Sequence, residues 1–212
     1  MTTIVPKIHV IDDDDSVRQA VSRLLKAAGY EVQDYATAGE FLMAEIDQTH
    51  GCIVLDVRMP GPSGLELQTA LVRNRSPLPV IFLTGHGDIR MSVRAMKAGA
   101  VDFLTKPVLK QELLAAVESA LKLQTRSLEQ HRRGEFLREC YATLTDRERE
   151  IMAQVVDGRL NKQIATAMGI AERTVKAHRA QVMSKMQVDS LAELVKVAGM
   201  LEAEQPVTGG RV

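Results

Sequence analysis

The chain has 212 residues, of which 45% are hydrophobic, 25% charged and only 3% aromatic, and its 27 Lys and Arg balance 27 Asp and Glu. This composition excludes a disordered or collagenous chain, and at about 100 to 200 residues per domain it allows one large domain or two modest ones. No run reaches the roughly 18 apolar residues of a membrane-crossing helix and the first ten residues lack a secretion-signal pattern, so a cytoplasmic protein with no membrane partner is expected.

Short β-rich runs alternate with helical patterns through the first half. Strands are predicted over 7–11, 31–34, 52–55, 80–83 and 101–104, and helices over 14–28, 38–47, 64–74, 88–98 and from 110 onward, with Gly29 and Gly99 where helices stop. Near-continuous apolar runs such as Cys52-Ile53-Val54-Leu55 suit strands buried on both faces of a parallel sheet. The expected fold class is therefore α/β, an open doubly wound five-stranded parallel sheet, over residues 1–123. Residues 124–141 turn polar and charged with Gly134 as the one breaker, and a helical linker is expected there, a hinge being the alternative. Helices over 145–156, 161–168, 171–186 and 190–200, joined by short connections, predict a second, all-α domain over 142–202, followed by a frayed tail at 203–212.

The neutral total hides an asymmetry. Residues 1–123 carry 13 Lys and Arg against 15 Asp and Glu, residues 124–212 carry 14 against 12, and between Arg159 and Lys185 six basic residues face only Glu172. Two domains with different partners are implied. Cys52 and Cys140 form no C-x-x-C pair and are expected to be buried, reduced thiols.

In an open α/β sheet, ligands bind beyond the carboxyl ends of the strands. The residues there are Asp12 and Asp13, Asp56, Thr84 and Lys106. Three convergent carboxylates repel one another unless a divalent cation sits among them, and oxygen ligands suit a hard ion such as magnesium. A carboxylate nucleophile can accept a phosphoryl group whose charge a metal and a lysine neutralise. Asp14 and Asp15 read instead as the cap and first turn of the first helix.

Ile11-Asp12-Asp13, Leu55-Asp56-Val57-Arg58-Met59-Pro60, Leu83-Thr84-Gly85-His86-Gly87 and Lys106-Pro107, in that order, resemble the receiver domain of two-component response regulators. The resemblance implies a flavodoxin-like fold and phosphorylation of Asp56 by a sensor histidine kinase. It further implies magnesium held by Asp12, Asp13, Asp56 and the Arg58 backbone carbonyl, phosphoryl contacts from Thr84 and Lys106, and Phe103 as an aromatic switch. Val108 departs from the phenylalanine that many receivers carry after Lys-Pro, and His86 is given no role.

In the second half, Asn161-Lys162-Gln163-Ile164-Ala165, then Met168-Gly169-Ile170, then Thr174-Val175-Lys176-Ala177-His178 place two helices around a glycine turn, the helix-turn-helix layout. At 100° per residue, Ala171, Val175, Val182 and Met186 form an apolar stripe, while Arg173, Lys176, Ala177, Ala180 and Ser184 lie opposite, long cations at the amino end and small residues along it. Lys162, Thr174 and Lys185 are placed for phosphate contact, and Arg179 for a phosphate or rim position. Together with Leu144-Thr145-Asp146-Arg147-Glu148, whose Thr145 and Glu148 form a capping box, these motifs resemble the LuxR-type DNA-binding domain. The pairing with a receiver resembles the NarL/FixJ class, and Gly85-His86-Gly87-Asp88 with the 96–103 stretch is most similar to its FixJ branch. That class implies a promoter-binding transcription factor, an activator, working as a phosphorylation-promoted homodimer on double-stranded DNA with RNA polymerase as a further partner. Two other readings stay open: a receiver acting through protein contacts, and a phosphohydrolase using Asp56 as nucleophile.

Overall fold

The computed structural model describes residues 5–44, 50–85 and 89–203, the side chains of 202 and 203 excepted. The chain divides into two compact units, 1–128 and 129–212. In the first, strands β1 (Lys7–Ile11), β2 (Glu31–Tyr35), β3 (Gly51–Leu55), β4 (Val80–Thr84) and β5 (Asp102–Thr105) alternate with helices α1 (Asp15–Ala27), α2 (Ala38–Met43), α3 (Gly64–Arg73) and α4 (Ile89–Lys97), and α5 (Lys110–Ala142) follows. All strand pairs are parallel, in the order β2-β1-β3-β4-β5.

Strand alternation sorts the core into two layers. Ile11, Ile53, Leu55 and Phe82 pack with Phe41, Leu67, Leu71 and Ala95 of α2, α3 and α4. Ile8, Val10, Cys52, Val54 and Ile81 pack on the other face with Val21 and Leu25 of α1 and Leu113, Val117 and Ala120 of α5. The doubly wound sheet is thus the expected one. Asp14 caps α1, accepting from the backbone N–H groups of Ser16 and Val17, as predicted. The second helix ends at Met43 rather than 47, because Ala44 takes an extended conformation; residues 45–49 lie outside the described set.

Residues 124–141 are helical, continuous with α5. Gln124 is buried and its Oε1 accepts the Gly51 backbone N–H at 2.6 Å, fixing α5 to the start of β3. Leu137 and Cys140 are buried in the core of the second unit. Gly134 lies inside the helix and does not break it. Both cysteines are free and buried, and burial pushes the Cys52 thiol up to about 12, which leaves it chemically inert.

The second unit completes its core with α6 (Asp146–Val156), α7 (Asn161–Met168), α8 (Glu172–Lys185) and α9 (Leu191–Ala203). Ile151, Ile164, Val175, Val182, Met186 and Leu194 meet there. The expected tail beyond 203 lies outside the described residues. Among the described residues no helix is long and apolar enough to cross a membrane.

Candidate functional site

The strand order reverses between β1 and β3, so the chain leaves their carboxyl ends toward opposite faces of the sheet and a crevice opens between them. Asp12 and Asp13 follow β1 and Asp56 follows β3; Thr84 ends β4 and Lys106 follows β5. Backbone bonds extend the sheet into these turns: Asp56 N–H donates to Ile11 O at 2.8 Å, and Lys106 N–H donates to Thr84 O at 2.8 Å. The four predicted strand-end motifs therefore converge.

The Lys106 ammonium lies 2.6 Å from Asp12 Oδ2 and 3.5 Å from Asp56 Oδ1. Asp12 Oδ1 accepts the Asp14 N–H at 3.0 Å, and Asp56 Oδ2 accepts the Arg58 N–H at 3.2 Å. Asp12, Asp56 and Thr84 are buried, whereas Asp13 is exposed. Burial pushes the Asp12 carboxyl above its ordinary range, the Lys106 hydrogen bond and charge oppose that rise, and the Asp56 charge adds to it. Asp56 Oδ1 is buried and makes no hydrogen bond among the described residues.

One carboxylate oxygen from each of Asp12, Asp13 and Asp56 falls within 4.8 Å of the others. A single ammonium does not neutralise three carboxylates, and an all-oxygen donor set with one buried oxygen left unbonded fits a hard divalent cation. Phe103 pairs in register with Phe82 on β4, its ring 6.0 Å from that ring, and is half-buried against the core. Val108 packs against the opposite core layer. Residues 86–88, including His86, lie outside the described set.

Two residues at this site were missed in the sequence. A Cβ on Gly64, the first residue of α3, would lie 2.1 Å from the Asp56 carbonyl oxygen, so the helix starts directly against the backbone of that aspartate. A glycine immediately after the Ser63 cap was the available signal. Arg18 donates to the Asp12 carbonyl oxygen, and nothing in the local sequence marks that contact.

In the second unit α7 and α8 are joined by a turn in which Gly169 adopts φ 65°, the left-handed conformation glycine tolerates best. Arg173, Lys176, Ala177, Ala180 and Ser184 are exposed along α8, Lys162 is exposed on α7 and Thr174 is half-buried. One expectation needs correcting. Ala171 precedes the helix as its exposed N-cap and does not join the Val175, Val182 and Met186 stripe, because the turn after Gly169 delays the helix by one residue. Arg179 Nη1 donates to Asn161 Oδ1 at 2.5 Å and ties α8 to α7. The Lys185 side chain is 31% exposed, and its ammonium lies 2.7 Å from Glu148 Oε2 and 3.1 Å from the Thr143 carbonyl.

Residues 8–118 match the response regulator receiver domain, and residues 142–198 match the luxR family of bacterial regulatory proteins. Nodulation protein W of Bradyrhizobium diazoefficiens is 45% identical over 194 residues, covering 92% of this chain and 86% of that protein. The transcriptional regulatory protein FixJ of Azorhizobium caulinodans is 46% identical over 194 residues, covering 90% of each. Among solved structures, the response regulator StyR superposes with a TM-score of 0.80 at 45% identity, covering 92% of this chain and 98% of that one. Full-length FixJ from B. japonicum gives a TM-score of 0.58 at 40% identity, covering 95% and 99%. Receiver domains bind magnesium at an acidic pocket and take a histidine kinase as partner, and LuxR-type domains bind DNA. With a receiver in one unit and a helix-turn-helix in the other, the chain belongs to the NarL/FixJ class of two-component response regulators, DNA-binding transcriptional regulators rather than enzymes.

Proposed function

We propose that Asp56 is the phosphoacceptor of this regulator, served by a sensor histidine kinase, and that its phosphorylation controls promoter binding by the second unit. The observation that carries this reading is the buried Asp56 Oδ1, unbonded and facing the Lys106 ammonium at 3.5 Å. In the transfer a carboxylate oxygen of Asp56 forms the new P–O bond as the P–N bond of the kinase phosphohistidine breaks. The electron pair of that bond stays on the imidazole, which recovers a proton from solvent. Asp12, Asp13, Asp56 and the Arg58 backbone carbonyl would hold Mg2+, which when bound offsets charge on the phosphoryl oxygens. Lys106 pairs with a phosphoryl oxygen, Thr84 donates its hydroxyl to another, and Phe103 moves inward in response.

The chain is organised as a receiver over 1–123, a helical connection over 124–141 and a DNA-binding domain over 142–202. On the DNA side, Arg173, Lys176, Ala177, Ala180 and Ser184 form a face that fits a major groove, and Lys162 and Thr174 contact phosphates. Lys185, at the carboxyl end of α8, is a further phosphate contact in this reading. The phosphorylated form is a homodimer that activates transcription in the cytoplasm, where promoter DNA and RNA polymerase are found.

Incubation with a small phosphoryl donor such as acetyl phosphate and Mg2+ tests this. The expected result is one equivalent of label on the wild type, none on Asp56→Asn and none after EDTA. Undiminished labelling of Asp56→Asn overturns the assignment, and steady turnover of phosphate esters returns the reading to a phosphohydrolase.

A further inference from the structure

We propose that Arg18 is a positioning residue for the carboxylate cluster: by holding the backbone of Asp12 it sets the direction in which that carboxylate meets a divalent cation. The inference rests on the reading of Asp12, Asp13 and Asp56 as the cation site.

Arg18 stands near the amino end of α1, where the helix dipole disfavours a cation. Its side chain is nevertheless only 12% exposed. The β1–β2 ladder explains why it is there. The last register pair is Ile11 with Tyr35, and Asp12 N–H donates to the Tyr35 carbonyl at 3.2 Å. Beyond Tyr35 the chain turns away into α2, whose N-cap is Thr37, so no strand residue follows to bond the Asp12 carbonyl. Arg18 Nη1 fills that place, donating to Asp12 O at 2.6 Å.

The guanidinium also pairs with Asp15 and lies 3.6 Å from Asp34 Oδ2 on β2. Those carboxylates are 75% and 40% exposed, and such pairs contribute little. The Asp12 carbonyl is the buried partner, where a charge-assisted bond is strong. With its N–H on Tyr35 and its C=O on Arg18, the Asp12 backbone is held on both sides. Its carboxylate then meets the Asp14 N–H and Lys106 at fixed positions. Magnesium demands near-ideal octahedral geometry, so a ligand that swings is a poor one.

Charge and geometry predict opposite results. Removing a cation from beside an acidic cluster tightens metal binding through charge alone, whereas loosening Asp12 weakens it. Mg2+ alone is titrated calorimetrically into the full chain, wild type, Arg18→Gln, Arg18→Lys and Asp12→Asn, well below each variant's melting temperature measured without metal. The expected result is a dissociation constant at least about tenfold higher for Arg18→Gln, the scale typical of a lost outer-shell partner, with Arg18→Lys in between. Folded Arg18→Gln binding as tightly as wild type, or more tightly, overturns the proposal. So does a lowered melting temperature with affinity unchanged, the mark of a purely structural role. If the wild type binds no Mg2+, the cation reading itself fails and the Arg18 inference with it; Arg18→Lys serves if Arg18→Gln does not fold.

Discussion

His9 is the polar residue in the apolar run Ile8–Ile11 of β1, on the same face as Ile11, yet it is buried. Its ring stacks on Tyr35, meets Phe41 edge-on, and places Nδ1 3.1 Å from the Tyr35 hydroxyl. The other nitrogen, Nε2, has no hydrogen-bond partner among the described residues. An imidazolium there would be a desolvated charge, and burial first, then the nearby Lys7 charge, holds the group down to about 4 from an ordinary 6.5. The sign follows from linkage. Between those two values the unfolded chain takes up a proton that the folded receiver refuses, so the His9 contribution is complete above about pH 6.5 and is lost as the pH falls toward 4. The melting temperature of the receiver should therefore decline across that window, and His9→Gln should flatten the decline. An equal slope in the variant would show that other groups set the acid limit.

At the scale of elements, α6 shows what the sequence could and could not reveal. Thr145 and Glu148 form the predicted capping box, because a helix start is decided by residues three apart. Glu148 Oε2 accepts the Thr145 N–H at 2.8 Å and meets Lys185 at 2.7 Å, which joins the start of α6 to the end of α8. The Lys185 hydrogen bond first, and the Thr145 N–H second, pull the Glu148 carboxyl down to about 2 from 4.5. A depressed carboxyl contributes stability above its unfolded value, so the second unit should hold through neutral pH and weaken as the pH falls from about 4.5 toward 2. In urea denaturation Thr145→Ala should lower stability by about 1 kcal/mol. Glu148→Gln should lower the urea midpoint further than Thr145→Ala does, since it weakens the cap and leaves Lys185 without a charged partner; a smaller shift of the midpoint would mean the Lys185 link adds nothing. The partner of Lys185 is 37 positions away, so this link between the two helices is not legible in the local sequence. The same division holds at the carboxylate cluster. Asp12, Asp56, Thr84 and Lys106 are legible because each closes a strand, a local event. Arg18, Gly64 and His9 matter through neighbours that only the sheet order brings near.

At the scale of the whole molecule, the proposal that phosphorylation promotes a homodimer needs a surface that responds to Asp56. Helix α4 leaves Ile89, Val93 and Met96 exposed at helical spacing, the first of them 82% accessible. Such an apolar stripe on a water-exposed helix is a candidate association face, which the proposed homodimer would use, and β5, which carries Phe103, lies against α4 in the fold of the receiver. A phosphoryl group shifts a monomer–dimer equilibrium only as far as it favours one arrangement over the other. On the proposed reading it acts through Thr84 and Lys106, whose backbones are already hydrogen-bonded to each other. Sedimentation with beryllofluoride and Mg2+ should convert the wild type from monomer to dimer and leave Asp56→Asn monomeric. Ile89→Asp should take up label from acetyl phosphate at the wild-type level and yet stay monomeric, because it removes the face and not the chemistry. A dimeric Ile89→Asp would move the association face away from α4, and a wild type that labels without associating would place the output in α5, which Gln124 ties to the first residue of β3, the strand that Asp56 follows.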